Sequence, residues 1–322
     1  MKAIVCTQYG PPDVLQFIEV AKPTPKDDEV LIKIRAASVN PLDWRLMRGK
    51  PWFARFLIGG LRKPKVTRPG VDVAGQIEAV GRNVKQFKPG DEVFGAGRGA
   101  FAEYVCTVED KLALKPANLS FEGAAAVPVA AISALQGLRD KGRIQQGQKI
   151  LVDGAGGGVG MFAAQIAKSF GAEVTAVCST RNLDTARSIG ADHVIDYTRE
   201  DFTKSGQRYD LILAANAYHS IFDYRRALSP NGIYVMVGGG GAQILQALLL
   251  GPILSLMGSE KMSFIMAKID KKDLVLLKDL LETGKLVPVI DRRYPLSDVA
   301  EAFRYLEEGH ARGKVVITAD GV

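Results

Sequence analysis

The sequence predicts an α/β protein in which a doubly wound parallel sheet lies between a β-rich first domain and a helix–strand tail. Two observations lead to this fold class. Runs rich in β-branched residues, bounded by Pro, Gly and Asp, occur early in the chain, for example Asp28–Ser38 and Val73–Gly81. From about Ser120 to about Gly232, apolar runs of strand length alternate with helical periodicity, which is typical of a parallel sheet covered by helices.

The elements of the predicted parallel sheet follow from local patterns. Phe162, Ile166 and Phe170 recur at every fourth position, which predicts a helix, and Gly171 ends that helix. The tail from Tyr294 to Gly321 predicts a further helix and a strand. The predicted strands of the sheet are Ile150–Val152, Val174–Cys178, His193–Asp196, Tyr209–Leu213 and Ile233–Val237.

Length and composition are those of a globular protein with two domains. The chain has 322 residues, of which 47% are hydrophobic and 24% charged. Its three cysteines, Cys6, Cys106 and Cys178, lie far apart, which argues against a disulfide framework and a clustered zinc site. The first residues contain no long apolar run, so no secretory signal is expected. These features predict a cytoplasmic protein of a reducing compartment.

The basic charge balance has two interpretations. The formal net charge is +7, and the lysines and arginines are dispersed apart from small groups such as Arg62–Arg68. Nucleic-acid binding is one interpretation of such a balance. We favour a solvated surface together with a site for a polyanionic cofactor, so no specific nucleic-acid partner is expected.

One apolar segment, Ala242–Gly258, resembles a membrane span but is too short and too interrupted. It has 17 residues and contains Gln243, Gln246, Gly251 and Pro252, whereas a span needs about 20 apolar residues. We therefore expect no transmembrane segment. The segment is predicted to be a buried helix, a dimer contact or a pocket wall, and peripheral membrane contact is left open.

The stretch "DGAGGGVG" has the features of a phosphate-binding turn between a strand and a helix. It departs from the strict G-x-G-x-x-G pattern, because Ala155 stands where the first glycine is expected, with Gly157 and Gly160 behind it. A strand before the stretch, a helix after it and a second strand beyond supply the context that the motif requires. A structural glycine-rich turn is the alternative. The predicted cofactor contacts here are Ala155, Gly156, Gly157, Gly158, Val159 and Gly160.

The end of the second strand indicates which dinucleotide binds. NAD sites place an acidic residue there, which binds the ribose 2′-hydroxyl. This sequence has Ser179, Thr180 and Arg181 instead, and the nearest acid, Asp184, comes too late. A guanidinium group pairs with phosphate through two parallel hydrogen bonds, so these residues suit the 2′-phosphate of NADPH.

Six motifs in order resemble the medium-chain dehydrogenase/reductase superfamily, in its zinc-free quinone oxidoreductase branch. They are "ASVNPLDWRLMRG", "RPGVDVAGQIEAVG", "FKPGDEVFG", "GAFAEYV", "AAVPVAAISALQGL" and "ILVDGAGGGVG". The segments "PWFARFLIGGLRKPK" and "LEEGHARGKVVI" are most similar to plastid-envelope-type quinone oxidoreductase homologues and their bacterial relatives. The resemblance implies a GroES-like β-rich catalytic domain, residues 1–122 and 270–322, and a Rossmann-type NADP-binding domain, residues 123–269, with the active site in the cleft.

The same alignment of motifs bears on zinc. Zinc-dependent members of the superfamily carry a catalytic Cys, a Gly-His-Glu and a second Cys at positions that match Asn40, Gly70–Asp72 and Val129 here. Thiolate and imidazole ligands are therefore missing, and no metal is expected. Without a Lewis acid, oxidation of a simple alcohol by a zinc-free alcohol dehydrogenase is the less favoured activity.

The expected activity is hydride transfer from NADPH to a small molecule that is already electrophilic, either a quinone or an α,β-unsaturated carbonyl. Asn40 is the candidate donor of hydrogen bonds to the oxygen on which charge develops. Asp43 is predicted to orient neighbouring groups, with a structural hydrogen bond as the alternative. An NADPH-binding protein of low turnover, with a regulatory or nucleic-acid-binding role, is the competing hypothesis.

The resemblance implies further contacts at matching positions. Trp44, Trp52 and Phe56 are candidates for the substrate entrance, with ordinary packing as the alternative. Relatives are often homodimers, and here a homodimer or a monomer is left open. The further implied cofactor contacts are Tyr197, Ala215, Asn216, Gly238, Gly239, Arg312 and Lys314.

Overall fold

The structure, a computed structural model, describes residues 1–50, 55 and 60–319. These residues form two compact units. The first unit consists of the described residues of Met1–Val129, Ile269–Thr283 and Pro288–Val322, and the second of Ala130–Lys268 and Gly284–Val287. The predicted domain boundaries, after residues 122 and 269, lie near these.

The strands of both units are numbered along the chain. Those that the structure describes are β1 (Lys2–Cys6), β2 (Leu15–Glu19), β3 (Glu29–Val39), β4 (Asp72–Val80), β5 (Glu92–Ala96), β6 (Tyr104–Val108), β7 (Leu112–Leu114), β8 (Lys149–Asp153), β9 (Glu173–Cys178), β10 (His193–Asp196), β11 (Tyr209–Ala214), β12 (Leu228–Met236), β13 (Lys261–Phe264), β14 (Ile290–Pro295) and β15 (Lys314–Thr318).

The helices are numbered in the same way. The described α-helices are α1 (Pro41–Arg48), α2 (Phe121–Ala125), α3 (Pro128–Gln136), α4 (Gly158–Ser169), α5 (Leu183–Ser188), α6 (Ile221–Arg226), α7 (Gly241–Met257), α8 (Lys271–Glu282) and α9 (Val299–Glu307).

The first unit is built on a mostly antiparallel sheet with the strand order β14-β15-β3-β4-β5-β7, and β6 also pairs with β3. The C-terminal strand β15 pairs antiparallel with β3, with Val315 opposite Val39. The tail therefore completes the sheet that the N-terminal part of the chain begins. Strand β3 is long because it is rich in β-branched and apolar residues, and most of its side chains are buried in the core of this unit.

The second unit is a six-stranded parallel sheet with the order β10-β9-β8-β11-β12-β13. Every neighbouring pair in it is parallel. The order reverses between β8 and β11, and ligands of doubly wound sheets bind outside the carboxyl ends of the strands at such a switch point. The predicted fold class is thus confirmed, with a β-rich unit and a Rossmann-type sheet.

Helix α7 corresponds to the apolar segment noted in the sequence, and it is only partly buried. Ala247 and Leu254 pack into the core of the second unit, whereas Leu249 and Leu256 are exposed. The expectation of a buried helix is therefore corrected, because only one side of the helix packs against the sheet. Among the helices of the described chain, none has the length and apolar character needed to cross a membrane.

Candidate active site

The tight turn that follows β8 depends on Gly154. Its φ is +83°, in the region that favours glycine, whereas Ala155 has a negative φ and donates its backbone N–H to the carbonyl of Val177 at 2.9 Å. The sequence placed Ala155 in the position of the first glycine on the condition that its φ is negative, and the backbone meets that condition. The residue of this turn that needs the conformational freedom of glycine is the preceding one, Gly154.

The other glycines of the loop serve two different purposes. A Cβ on Gly160 would lie 2.2 Å from the carbonyl oxygen of Gly154. A Cβ on Gly156 would lie 2.2 Å from the side-chain nitrogen, Nδ2, of Asn182. These two glycines permit close packing of the protein on itself. At Gly157 a Cβ would meet a single atom, the Gly154 carbonyl oxygen, at an ordinary contact distance of 3.6 Å, so that face of the backbone is little covered by the protein. Gly157 is therefore where a ligand can approach the loop.

Helix α4 begins at Gly158, with Gly157 as its N-cap residue and without an acidic residue in its first turn. The first N–H groups of a helix have no intrahelical partner, and the helix dipole places partial positive charge at this end. Gly158 and Val159 therefore present a favourable site for an anion, next to the open space at Gly157.

Two of the residues after β9, Thr180 and Arg181, differ in whether their side chains bind other groups of the described chain. Thr180 donates its hydroxyl proton to the Asp196 carboxylate at 2.5 Å, so this hydroxyl is already used within the protein. Ser179 is half-buried. The Arg181 side chain is exposed, and it makes no hydrogen bond or ion pair with the described part of the chain.

Two polar residues of this region were missed by sequence reasoning. Asn182 is 5% exposed, and within the described residues its Oδ1 atom has no hydrogen-bond partner. Asp196, the last residue of β10, lies beside Thr180 although they are distant in sequence. Asn182 was discoverable, because it directly follows Arg181. The position of Asp196 depends on the pairing of β9 with β10.

The remaining predicted cofactor residues of the second unit follow the neighbouring strands. Tyr197 is 49% exposed, and its ring centroid lies 5.8 Å from that of Tyr218, a residue that the sequence did not indicate. Ala215 donates its backbone N–H to the Asp153 carbonyl at 2.8 Å, and Asn216 is exposed beside Gly154.

The last of these residues, Gly238 and Gly239, follow β12. Ala217 donates its backbone N–H to the Gly238 carbonyl at 2.9 Å, and Ala217 also forms a bridge with Gly239. The structure thus brings the segments after β8, β9, β10, β11 and β12 to one edge of the sheet. We call these segments the glycine-loop edge.

The glycine-loop edge fits a dinucleotide with an extra phosphate. The accessible backbone at Gly157 and the positive end of α4 suit a diphosphate. Within the described chain the Arg181 guanidinium has no partner, which suits a further phosphate, and the buried Asn182 Oδ1 has no donor, which a ligand can supply.

A second group of polar residues is buried in the first unit. Asp72 is fully buried and its Oδ2 atom accepts the hydroxyl proton of Ser38 at 2.6 Å and a side-chain N–H of Asn40 at 2.9 Å. Its Oδ1 atom accepts the backbone N–H of Val129 at 2.9 Å. The Nζ atom of Lys314 lies 2.6 Å from Asn40 Oδ1 and 3.5 Å from Asp72 Oδ2. We call these five residues the Asn40 cluster.

Local structure explains the position of Asn40 and Asp43. Asn40 is the N-cap of α1, and its backbone N–H donates to the Asp43 carboxylate at 2.8 Å, which forms a capping box. Burial raises the pKa of Asp43 to about 7, and the nearby Asp72 carboxylate adds to the rise, whereas the N–H of Asn40 and the Lys314 ammonium ion oppose it. These contacts therefore agree with the alternative prediction for Asp43, a structural hydrogen bond within the β-rich unit.

The contacts of Asn40 differ from those expected of a free donor. One N–H of its carboxamide donates to Asp72, and the other has only a long contact, 3.4 Å, to the carbonyl of Ser38. The side chain is 3% exposed. The sequence predicted that both N–H groups of the Asn40 carboxamide could donate to a ligand oxygen. Only the N–H with the long contact is weakly bound within the protein and remains available for that role.

Lys314 requires a correction to the sequence-based prediction that it reaches the cofactor from the tail. It is the first residue of β15, it is 4% exposed, and its ammonium group hydrogen-bonds inside the first unit. Burial lowers the pKa of Lys314, and the Asp72 and Asp43 carboxylates oppose that change. Its contacts therefore bind it to the Asn40 cluster.

The Asn40 cluster does not fit a zinc ion. At the positions aligned with zinc ligands, it offers one carboxamide oxygen, one carboxylate and a backbone N–H, and an ammonium group already contacts both oxygens. Zinc sites in proteins use thiolate, imidazole and carboxylate ligands. Within the residues that the structure describes, no group of three or more His, Cys, Asp or Glu side chains could hold a metal ion.

The other predicted site residues lie elsewhere or outside the described chain. Trp44 is half-buried and packs against the core of the first unit, with the Arg45 guanidinium 5.4 Å from its ring centroid. Arg312 is exposed, and its backbone N–H donates to Asp291 at 2.8 Å. Trp52 and Phe56 lie outside the described residues.

Family models match both parts of the chain. Residues 26–117 match the alcohol dehydrogenase GroES-like domain, and residues 189–317 match the zinc-binding dehydrogenase model. Of the Asn40 cluster, the second match includes only Lys314, whereas Ser38, Asn40 and Asp72 lie in the first.

Named relatives and solved structures match nearly the whole chain. A 2-methylene-furan-3-one reductase of Solanum lycopersicum is 40% identical over 98% of this chain and 79% of its own length. A chloroplastic NADPH-dependent alkenal/one oxidoreductase of Arabidopsis thaliana is 36% identical over the same shares. The solved structure of the quinone oxidoreductase from Coxiella burnetii has a TM-score of 0.87 and 30% identity over 99% of both chains.

Proposed function

The chain belongs to the medium-chain dehydrogenase/reductase superfamily, and from that premise we propose that it is an NADPH-dependent, zinc-independent oxidoreductase. Its proposed acceptors are quinones and α,β-unsaturated carbonyl compounds. The observation that carries the proposal is the glycine-loop edge, where the accessible backbone at Gly157 lies on the same sheet edge as the exposed guanidinium of Arg181, which has no partner within the described residues. The names of the relatives support the choice of cofactor and acceptor.

Binding of the cofactor is assigned to the loop, to helix α4 and to Arg181. The backbone at Gly157 and the first N–H groups of α4 hold the diphosphate. Arg181 forms charge-assisted hydrogen bonds with the 2′-phosphate, and the half-buried Ser179 adds a hydroxyl. Tyr197, with Tyr218 beside it, offers an exposed aromatic surface for the adenosine end.

NADPH supplies the hydride, and the protein supplies position and electrostatic stabilisation. The acceptors in question are electrophilic without a metal ion, because a carbonyl group conjugated to the double bond withdraws electrons from it. As charge develops on the carbonyl oxygen, a fixed hydrogen-bond donor stabilises it. We assign this role to the weakly committed N–H of Asn40, and Asp43 holds the backbone of that residue.

The test is a panel of quinones and enones mixed with protein and either NADPH or NADH. We expect loss of the reduced nicotinamide absorbance with NADPH and at least one acceptor class, and much slower loss with NADH. The activity should survive dialysis against a zinc chelator. Faster turnover with NADH, or activity on simple alcohols that the chelator abolishes, would contradict the proposal.

The competing hypothesis, an NADPH-binding protein of low turnover with a regulatory or nucleic-acid-binding role, makes the opposite prediction for that panel. Tight NADPH binding without turnover on any acceptor would favour it. The near-full-length similarity to named reductases is why we prefer the enzyme.

The remaining expectations about partners and location form part of the same proposal. We place the protein in a reducing compartment such as the cytoplasm, in line with its free cysteines Cys6, Cys106 and Cys178. The choice between a homodimer and a monomer stays open, as does contact of the exposed side of α7 with a membrane surface.

A further inference from the structure

The Asn40 cluster is assembled from segments that are remote in sequence. Asn40 follows β3, Asp72 begins β4, Val129 lies at the start of α3, and Lys314 begins β15. The Lys314 side chain is 5% exposed and that of Asp72 is fully buried. Several partners of each group therefore come from distant parts of the chain, and the fold as a whole determines the arrangement.

The hydrogen bonds of this cluster leave the Asn40 carboxamide a single orientation. Lys314 can only donate, so the atom 2.6 Å from its Nζ must be the carboxamide oxygen. The Asp72 carboxylate accepts, so the atom 2.9 Å from it must be the nitrogen. A flipped carboxamide would place an N–H against the ammonium group and an oxygen against the carboxylate, and both contacts would be repulsive.

The ammonium group of Lys314 has one short hydrogen bond and two long ones. Its Nζ atom lies 2.6 Å from Asn40 Oδ1, and 3.5 Å from both Asp72 Oδ2 and the Val39 carbonyl oxygen. Burial of an ion pair is costly, and apolar residues of similar volume often give a more stable protein. Such a pair is better explained by a need for one defined arrangement of polar groups than by a need for stability.

We propose that Lys314 is a positioning residue: its ammonium ion is the internal cation of the Asn40 cluster, and it fixes the Asn40 carboxamide so that the remaining N–H faces the reacting oxygen. This inference rests on the proposed function.

Two features make the assignment specific to positioning. Lys314 and Asp72 contact opposite ends of the same carboxamide, so loss of either lets Asn40 rotate. Donation to the carboxamide oxygen also polarises the amide, which strengthens the N–H groups as donors. Lys314 therefore acts on the reaction through Asn40 and needs no contact with the substrate.

The first test compares Lys314→Met with Lys115→Met. Lys115 is a matched control, because its side chain is 8% exposed in the same unit and donates to the Leu119 carbonyl at 2.7 Å, away from Asn40. Both variants lose a buried lysine and are expected to unfold at lower temperature than the wild type. At a temperature where both are folded, we expect Lys314→Met alone to lose about 10²-fold in kcat, with KM for NADPH changed less than about threefold.

The second test restores the missing cation to Lys314→Ala. n-Propylammonium contains the three carbons and the nitrogen that this substitution removes. It should raise the melting temperature and kcat of the variant in a saturable way, whereas tetramethylammonium and 1-butanol should not. Should the variant fold only in the presence of n-propylammonium, the proposal is equally supported.

The outcomes separate the inference from the proposed function. Equal kcat values for Lys314→Met and Lys115→Met would overturn the positioning role. If the wild type reduces no acceptor, the proposed function fails, and the melting temperature of Lys314→Ala then decides the inference. A rise that only n-propylammonium produces supports the internal cation, and an unchanged melting temperature with every additive overturns it.

Discussion

The Asn40 cluster of the first unit contains a buried carboxyl group and a cation, and so does the second unit, where Asp153 ends β8 next to the glycine-loop edge, but the two regions arrange these groups differently. In the first, Asp72 accepts three short hydrogen bonds, and Lys314 is buried beside it. In the second, the Tyr224 hydroxyl donates to Asp153 Oδ2 at 2.5 Å, while Asp153 Oδ1 lacks a partner among the described residues.

The cations of the two regions, Lys314 and Arg181, differ in the same way as the carboxyl groups. Lys314 has its hydrogen bonds within the protein, whereas Arg181 is exposed and unpaired in the part of the chain that is described. A closed network fixes the side chains before any ligand arrives, and an edge with missing partners leaves hydrogen bonds for a ligand to complete. The comparison teaches that the first region is prepared for positioning and the second for binding.

The largest expected effect comes from breaking the closed network. Asp72→Leu leaves the Lys314 ammonium buried without its carboxylate, and we expect a loss of about 3–5 kcal/mol in the free energy of unfolding. The double variant Asp72→Leu, Lys314→Met removes both charges and should recover much of that loss. Urea unfolding of the two single variants and the double variant measures the coupling. Additive losses would show that the two charges do not interact.

The next largest effect is expected from the exposed cation, Arg181. Arg181→Ala should weaken NADPH binding about 30-fold, because charge-assisted hydrogen bonds to a phosphate contribute about 2 kcal/mol. NADH affinity should change less than about twofold, since NADH has no 2′-phosphate. Fluorescence titration of both cofactors measures this.

Arg187→Ala is the control for Arg181→Ala, because Arg187 is exposed nearby in sequence and pairs with Asp184 at 2.8 Å. Its NADPH affinity should equal that of the wild type. Equal losses for NADPH and NADH in Arg181→Ala would contradict the 2′-phosphate assignment.

Two glycines of the loop sharpen the distinction between packing and binding. Gly157→Ala adds a methyl group to the accessible backbone, so we expect about tenfold weaker NADPH binding, with only about 1 kcal/mol lost in the free energy of unfolding because Ala is a poorer N-cap residue than Gly. Gly156→Ala collides with Asn182 and should destabilise the protein instead. Thermal unfolding with and without NADPH distinguishes them. A Gly157→Ala protein with full affinity would argue against a phosphate at this position.

The smallest expected effect is the pH dependence due to Asp153. Burial raises the pKa of this carboxyl to about 7, although hydrogen bonds from Tyr224 and the Gly154 backbone oppose the rise. The folded protein therefore holds the proton that the unfolded chain releases near pH 4, and stability falls as pH rises toward 7. Between pH 6 and pH 7 this carboxyl should account for about 1 kcal/mol of lost stability.

Asp153→Asn should reduce the dependence of the free energy of unfolding on pH without abolishing it. The Asp43 carboxyl, whose pKa is also about 7, still contributes to the pH dependence of stability. Asp43→Asn is the matched variant that removes this contribution. Chemical unfolding at several pH values measures both slopes. A slope in Asp153→Asn equal to that of the wild type would mean that Asp153 stays ionised in the folded protein.

Much of the second unit could be predicted from the sequence, because its information is local. The strand before Gly154, the helix after it and the residues Ser179 to Arg181 are each specified by a few neighbouring residues. The sequence also allowed Ala155 in the turn provided that its φ is negative, as it is, but the positive φ of Gly154 is visible only in the backbone. Asp196 and Tyr218 were missed because strand pairing brings them close.

The sequence by itself determined the fold class, the glycine loop and the absence of zinc-type side chains at Asn40 and Val129, and it offered Arg181 as the candidate cation for an extra phosphate. Only the tertiary structure decided which groups surround Lys314. Its ammonium group lies 2.6 Å from Asn40 because β15 pairs with β3. No local pattern encodes that contact. The physical reason is that buried charges need partners, and which partners are available depends on which distant strands form one sheet.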